Sequence, residues 1–176
     1  MKWADLSGGL RERGLIKAVG GGQPEPTAGF VSGVAFDSRT VEPGQVFVAL
    51  KGLQADGALF VQQAIERGAL AVVSEQPPPS SVRVPWVMVE DARLALALLA
   101  DAFHHHPSGE LKVIGITGTN GKTTTAYLLA AIFEAARIPC GILGTVAHKI
   151  GGDLREATRT TPEAPASTAW RRPLRR

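Results

Sequence analysis

Cysteine is nearly absent from this 176-residue chain, and Cys140 stands alone. No disulfide can therefore form within the chain, and Cys140, set in an apolar run, reads as a small core residue rather than a reactive thiol. Long apolar runs are missing too. A run such as Leu94 to Ala100 falls far short of the ~20 residues that a membrane-spanning helix needs. The opening Met1-Lys2-Trp3-Ala4-Asp5 has no apolar stretch of the kind a secretory signal carries. These absences lead us to expect a reducing, cytoplasmic setting and no membrane partner. Net charge is scarce in the body of the chain. The formal total is +3, yet Arg171, Arg172, Arg175 and Arg176 supply four positive charges in a segment without acids from Ala164 onward. Without them, residues 1–170 carry −1. A nucleic-acid-binding face is normally basic and interleaved with aromatics, so no nucleic-acid partner is expected.

What is present fits an ordinary globular protein, with 44% hydrophobic and 20% charged residues. The length allows one large domain or two small ones. Leu6, Leu10 and Leu15 predict a short helix, followed by a glycine- and proline-rich loop from Gly20 to Gly29. Strands are expected at Val31–Phe36, Val46–Leu50, Leu70–Ser74 and Trp86–Val89. A helix over Leu59–Arg67 should present Val61, Ala64 and Ile65 on one face and close at Gly68. Asp91 can cap a second helix that runs through Leu94, Leu98 and Ala102 to about His105. Neither an internal repeat nor a long low-complexity stretch occurs.

Three histidines, His104-His105-His106, precede Pro107. Helical neighbours point in different directions, so one metal ion could not easily collect all three. They read instead as a helix C-terminus before a proline stop. We therefore expect a first domain over residues 1–107 and a second over 108–165. Residues 166–176 lack apolar periodicity and read as a disordered or out-of-frame tail.

The densest chemistry lies at Val113-Ile114-Gly115-Ile116-Thr117-Gly118-Thr119-Asn120-Gly121-Lys122-Thr123-Thr124. A β-branched run predicts a strand over Lys112–Thr117, a glycine-rich turn follows, and a helix is expected from Lys122 to about Arg137. Glycine at 118 and 121 allows backbone dihedrals and close approaches that side chains resist. The first N–H groups of a helix and its positive dipole end favour an anion. In such a phosphate loop Gly118, Thr119, Asn120, Gly121, Lys122, Thr123 and Thr124 bind ATP. Lys122 reaches the terminal phosphates, and the Thr123 hydroxyl sits on Mg²⁺. The general pattern G-x-x-x-x-G-K-[ST] wants glycine where this chain has Ile116, which points to a particular subfamily of such loops. A second strand over Cys140–Val146 would complete a right-handed βαβ crossover and a parallel sheet.

That loop resembles the one in the Mur ligase superfamily, which also includes folate polyglutamate synthases. Asp37-Ser38-Arg39, then Pro43-Gly44 and Val46-Phe47-Val48-Ala49, is similar to the uridine-nucleotide segment of MurE and MurF ligases. Gly52-Leu53-Gln54-Ala55-Asp56-Gly57 is similar to their next substrate loop, and Thr160-Thr161-Pro162-Glu163 to a MurE signature. The resemblance covers roughly residues 30 to 165 in the family's order. It implies an α/β fold: a small N-terminal α/β substrate domain, then the start of a parallel-sheet ATPase domain that is cut short. It also implies an ATP- and Mg²⁺-dependent ligase of peptidoglycan precursor synthesis. Such an enzyme adds a diamino acid to UDP-N-acetylmuramoyl-L-alanyl-D-glutamate through an acyl phosphate.

By the same resemblance, Ser38, the backbone at Phe36, and Leu53, Gln54 and Ala55 contact the uridine nucleotide. Thr160 and Thr161 hold the muramoyl peptide, and Lys122 neutralises phosphate charge during catalysis. A monomer is expected. Leu53 and Ala58 stand where many relatives carry histidine, and Arg159 where a small polar residue is common. The family's further metal-binding glutamate, modified lysine and amino-acid-binding domain have no counterpart here, so the chain is expected to be an inactive fragment. A MurF-type ligase and a stand-alone nucleotide-binding module remain the alternatives. The residues that would choose between lysine, ornithine and diaminopimelate are not in this sequence.

Overall fold

The computed structural model describes residues 1–20, 30–52, 55–144, 147–150 and 153–156. It divides into two units, Met1–His105 and His106–Arg176. The first unit opens with two short helices, α1 (Trp3–Leu6) and α2 (Gly8–Glu12), and then a strand, β1 (Ile16–Gly20). The single helix expected through Leu15 is thus corrected. Ser7 ends one helix and begins the next, and Leu15 packs in the core just before β1. Strands β2 (Gly33–Ala35), β3 (Gln45–Ala49), β4 (Ala71–Ser74) and β5 (Trp86–Val89) follow, close to the expected positions. A 3₁₀ turn over Ser38–Thr40 links β2 to β3. A second turn over Gly57–Phe60 leads into helix α3 (Val61–Glu66), which links β3 to β4.

The sheet order is β1-β5-β4-β3-β2, with β2 to β5 mutually parallel and β1 antiparallel at the β5 edge. Successive strand side chains point to opposite faces. Both faces are apolar, which is why these strands read as continuous hydrophobic runs rather than alternating ones. Val46, Val48, Ala71, Val73, Val87 and Val89 face a layer formed by Trp3, Leu6, Leu10 and helix α4 (Ala92–Phe103). Phe47, Ala49, Val72 and Trp86 face Val41, Val61 and Ala64 on the other side. Helix α4 buries Ala92, Ala95, Leu96 and Leu99, whereas Leu94 is 37% exposed. Ala102 also lies in this core and Leu98 packs against it, so of the three residues only Leu94 faces outward. After Phe103 the chain turns through His104, whose N–H donates to the Ala100 carbonyl, and through His105 and His106 at positive φ.

The second unit has helix α5 (Lys122–Ala135) and strands β6 (Gly141–Leu143), β7 (Ala147–Ile150) and β8 (Asp153–Glu156). These strands form an antiparallel meander, β6-β7-β8. The strand expected at Lys112–Thr117 is not formed, and Val113 and Ile114 are 63% and 55% exposed. The βαβ crossover expected in the second unit is accordingly not formed by the described residues. A strand needs an adjacent edge to pair with, and short connections let neighbouring segments pair antiparallel first. The α/β class stands, and the parallel sheet lies in the first unit, whereas the described strands of the second unit, where a parallel sheet was expected, pair antiparallel.

Candidate functional site

In the second unit, Gly118 and Gly121 adopt φ of +151° and +77°, a region that favours glycine. Gly121 is the N-cap of α5, and no side chain caps that helix. The amides of Lys122, Thr123 and Thr124 are thus available to an anion, in a first turn that carries positive partial charge. Space permits this, since a Cβ placed on Gly121 would meet no atom within 4 Å. Thr119, Asn120, Thr123 and Thr124 are exposed. Lys122 folds back over the loop and donates from Nζ to the carbonyls of Gly118 and, at 3.3 Å, Thr119. Its ammonium therefore lies at the open mouth of the loop, bonded to groups that it can exchange for phosphate oxygens. These residues would fit a nucleoside triphosphate: amide donors, the Lys122 cation and a hydroxyl at Thr123 that could hold Mg²⁺. ATP supplies a transferable phosphoryl group when bound at such a loop.

In the first unit the chain leaves the parallel strands at their carboxyl ends, the edge where open α/β sheets bind ligands. Phe36 is half-buried just beyond β2, and Asp37 begins the following turn by accepting from the Arg39 amide at 3.0 Å. The Arg39 guanidinium also binds Asp37, with Nη2 to Oδ2 at 2.6 Å. Those hydrogen bonds from Arg39 hold the Asp37 carboxyl below its ordinary value, against a smaller opposing effect of burial. Ser38 is 5% exposed, and its hydroxyl donates to Gln63 Oε1 at 2.6 Å. Beyond β3, Gly52 N–H donates to the Ala55 carbonyl at 2.9 Å, and Gly57 N–H to Leu50 O at 2.8 Å. A Cβ on Gly57 would lie 2.7 Å from Leu50 O, so only glycine closes this loop without displacement.

Phe36, Ser38 and Ala55 thus gather at the ends of two neighbouring strands. Leu53, Gln54, Thr160 and Thr161 lie outside the described residues, as does Arg159. The sequence reading gave Gln63 no role. No local signal marked it, since Gln63 is exposed and its partner lies 25 residues away in sequence. The reading also missed a cavity of about 590 Å³ at this edge, lined by Leu50, Lys51, Glu75, Asp91 and Leu94 among others. There Asp91 Oδ1 accepts from Leu94 N at 2.8 Å and Glu75 Oε1 from Ala92 N at 2.9 Å, so two carboxylates cap α4.

Comparison with known proteins agrees with both halves. Residues 30–104 match the Mur ligase family catalytic domain, and residues 116–169 match the Mur ligase middle domain. A UDP-N-acetylmuramoyl-L-alanyl-D-glutamate--2,6-diaminopimelate ligase of Geobacillus thermodenitrificans is 46% identical over 82% of this chain and 28% of its own length. Its counterpart in Chlorobium phaeobacteroides is 45% identical over 93% of this chain and 31% of its own. A UDP-N-acetylmuramyl-tripeptide synthetase of Roseiflexus is 45% identical over 82% and 29%. Among solved structures, a UDP-N-acetylmuramoyl-L-alanyl-D-glutamate--2,6-diaminopimelate ligase superposes with a TM-score of 0.67 at 29% identity, over 85% of this chain and 30% of that one. MurF from Acinetobacter baumannii gives 0.55 at 29% identity, over 80% and 29%. The chain spans less than a third of the length of these relatives. Its two domain matches, in family order and each containing one of the loop sets described above, make it a member of the Mur ligase family.

Proposed function

We propose that this chain carries the sugar-nucleotide-binding unit and the phosphate loop of an ATP-dependent ligase. That ligase joins a diamino acid to UDP-N-acetylmuramoyl-L-alanyl-D-glutamate in peptidoglycan precursor synthesis. The names of its curated relatives favour 2,6-diaminopimelate as the diamino acid. A MurF-type reaction is the weaker reading, because those relatives are named for the diaminopimelate step. The observation that carries the proposal is the uncapped start of α5, with Lys122 poised over glycine-rich backbone.

In the reaction, ATP turns the substrate carboxylate into an acyl phosphate, and the diamino acid's amine displaces phosphate. Two anions must approach each other, so positioning and compensating charge contribute most of the rate. Amides from Gly118 to Thr124 hold the phosphates, Lys122 balances their charge, and Thr123 orients Mg²⁺. In the first unit, Ser38, the Phe36 backbone, Leu53, Gln54 and Ala55 hold the uridine nucleotide; from the second half of the chain, Thr160 and Thr161 hold the muramoyl peptide. No helix among the described residues is long and apolar enough to cross a membrane. We place the protein in the cytoplasm, where its soluble nucleotide substrates occur.

Titration calorimetry with Mg-ATP and with UDP tests this reading. Lys122→Ala should weaken Mg-ATP binding by about tenfold or more, the scale of a lost charge-assisted bond, and leave UDP binding unchanged. Undiminished Mg-ATP affinity in that variant would remove Lys122 from the phosphate site.

A further inference from the structure

Ser38 and Gln63 meet across 25 residues of sequence in a contact that neither turn geometry nor helix packing demands. Ser38 belongs to the turn after β2. Gln63 sits in the first turns of α3, which packs against that turn and follows directly on the loop containing Ala55. The pair therefore lies between the two segments assigned to the uridine nucleotide.

The direction of the bond determines what the pair can offer a ligand. Ser38 gives its only hydroxyl proton to Gln63 Oε1 at 2.6 Å, so toward a third group its oxygen can only accept. Gln63, with Oε1 engaged, retains two N–H donors on Nε2. Gln63 is exposed, whereas Ser38 is 5% exposed. A molecule seated against the pair would meet an acceptor and a donor side by side. That arrangement complements the imide edge of uracil, where N3–H donates and the adjacent carbonyl accepts. With the ribose held in place, cytosine would set its N3 acceptor against the Ser38 acceptor. Mispaired polar groups of this kind discriminate strongly, because they lose water without gaining a partner.

We propose that Ser38 and Gln63 form a dyad that reads the uracil ring, with Gln63 as a specificity-determining residue. This rests on the assignment of the Ser38 segment to the uridine nucleotide.

Titration calorimetry of the full chain with UDP and with CDP tests it, using Gln63→Leu, Ser38→Ala and the double variant. The unaltered protein should prefer UDP. Gln63→Leu should weaken UDP binding by about tenfold, as for a lost hydrogen-bonded pair, and should reduce the UDP-to-CDP preference. The double variant should bind UDP hardly more weakly than either single one, since each substitution breaks the same unit. If Gln63→Leu keeps the UDP affinity while Ser38→Ala lowers it, Gln63 has no part in recognition and the uridine assignment stands. Equal weakening for UDP and CDP, with the preference intact, would reduce Gln63 to a structural support and overturn the proposal. If neither single substitution alters UDP binding, the uridine assignment of this segment fails as well.

Discussion

Ser7 is fully buried at the junction of α1 and α2, and its hydroxyl has no partner among the described residues. A buried hydroxyl without a bond costs desolvation that nothing offsets. Ser7→Ala should therefore be neutral or stabilise the first unit by about 1 kcal/mol, read from the urea midpoint. The pair Asp37–Arg39 behaves differently. Arg39 lowers the Asp37 pKa from its ordinary value. A carboxyl whose folded pKa is depressed adds stability above the unfolded pKa and loses it as pH falls through the folded one. In Arg39→Ala, the Asp37 carboxyl should titrate at higher pH in a carbon-detected NMR titration. Stability should then decline less steeply on the acid side, below the ordinary aspartate range. The effect on stability at neutral pH should be small, because the Arg39 side chain is 79% exposed. At this scale the positive φ of Gly118 and Gly121 and the place of Lys122 at the start of α5 were legible, since these are local properties. The Ser38–Gln63 bond was not, because it joins residues that only folding brings together.

Helix α4 was legible as an element: Asp91 marked its start and accepts from the Leu94 amide as an N-cap should. Its second cap, Glu75, comes from the end of β4, 17 residues away in sequence, and periodicity gives no sign of it. Asp91→Ala should cost about 1 kcal/mol, seen as a lower urea midpoint at unchanged slope. A much smaller loss would mean that Glu75 alone suffices to satisfy the helix start. The edge strand β1 was not foreseen, because its residues are mostly exposed and carry no clean alternation. The strand expected at Lys112–Thr117 shows the opposite case. Val113, Ile114 and Ile116 have strand propensity, yet propensity describes fit to a pleated surface and cannot supply the neighbouring edge.

On the scale of the whole chain, the two units differ in how much they bury. In the first, both sheet faces are covered, and Val46, Val48, Val72, Val73 and Val87 are fully enclosed. In the second, α5 buries Ala130, while Leu128 and Ile132 are 61% and 62% exposed. Local opening is cheapest where few apolar contacts resist it. Native-state hydrogen exchange should find the amides of β3 and β4 the most protected, and those of α5 weaker by at least an order of magnitude. Equal protection in both would show that the units open together.

The sequence by itself determined the α/β class, the positions of the four parallel strands, the cap of α4 and the glycine-rich start of α5 with Lys122 at its first position. Each follows from residue chemistry or from short-range spacing. Tertiary structure alone decided that β6, β7 and β8 pair antiparallel, that Glu75 closes the start of α4, and that Gln63 engages Ser38. Those outcomes depend on which distant edges and side chains come within bonding range, and no local pattern encodes that.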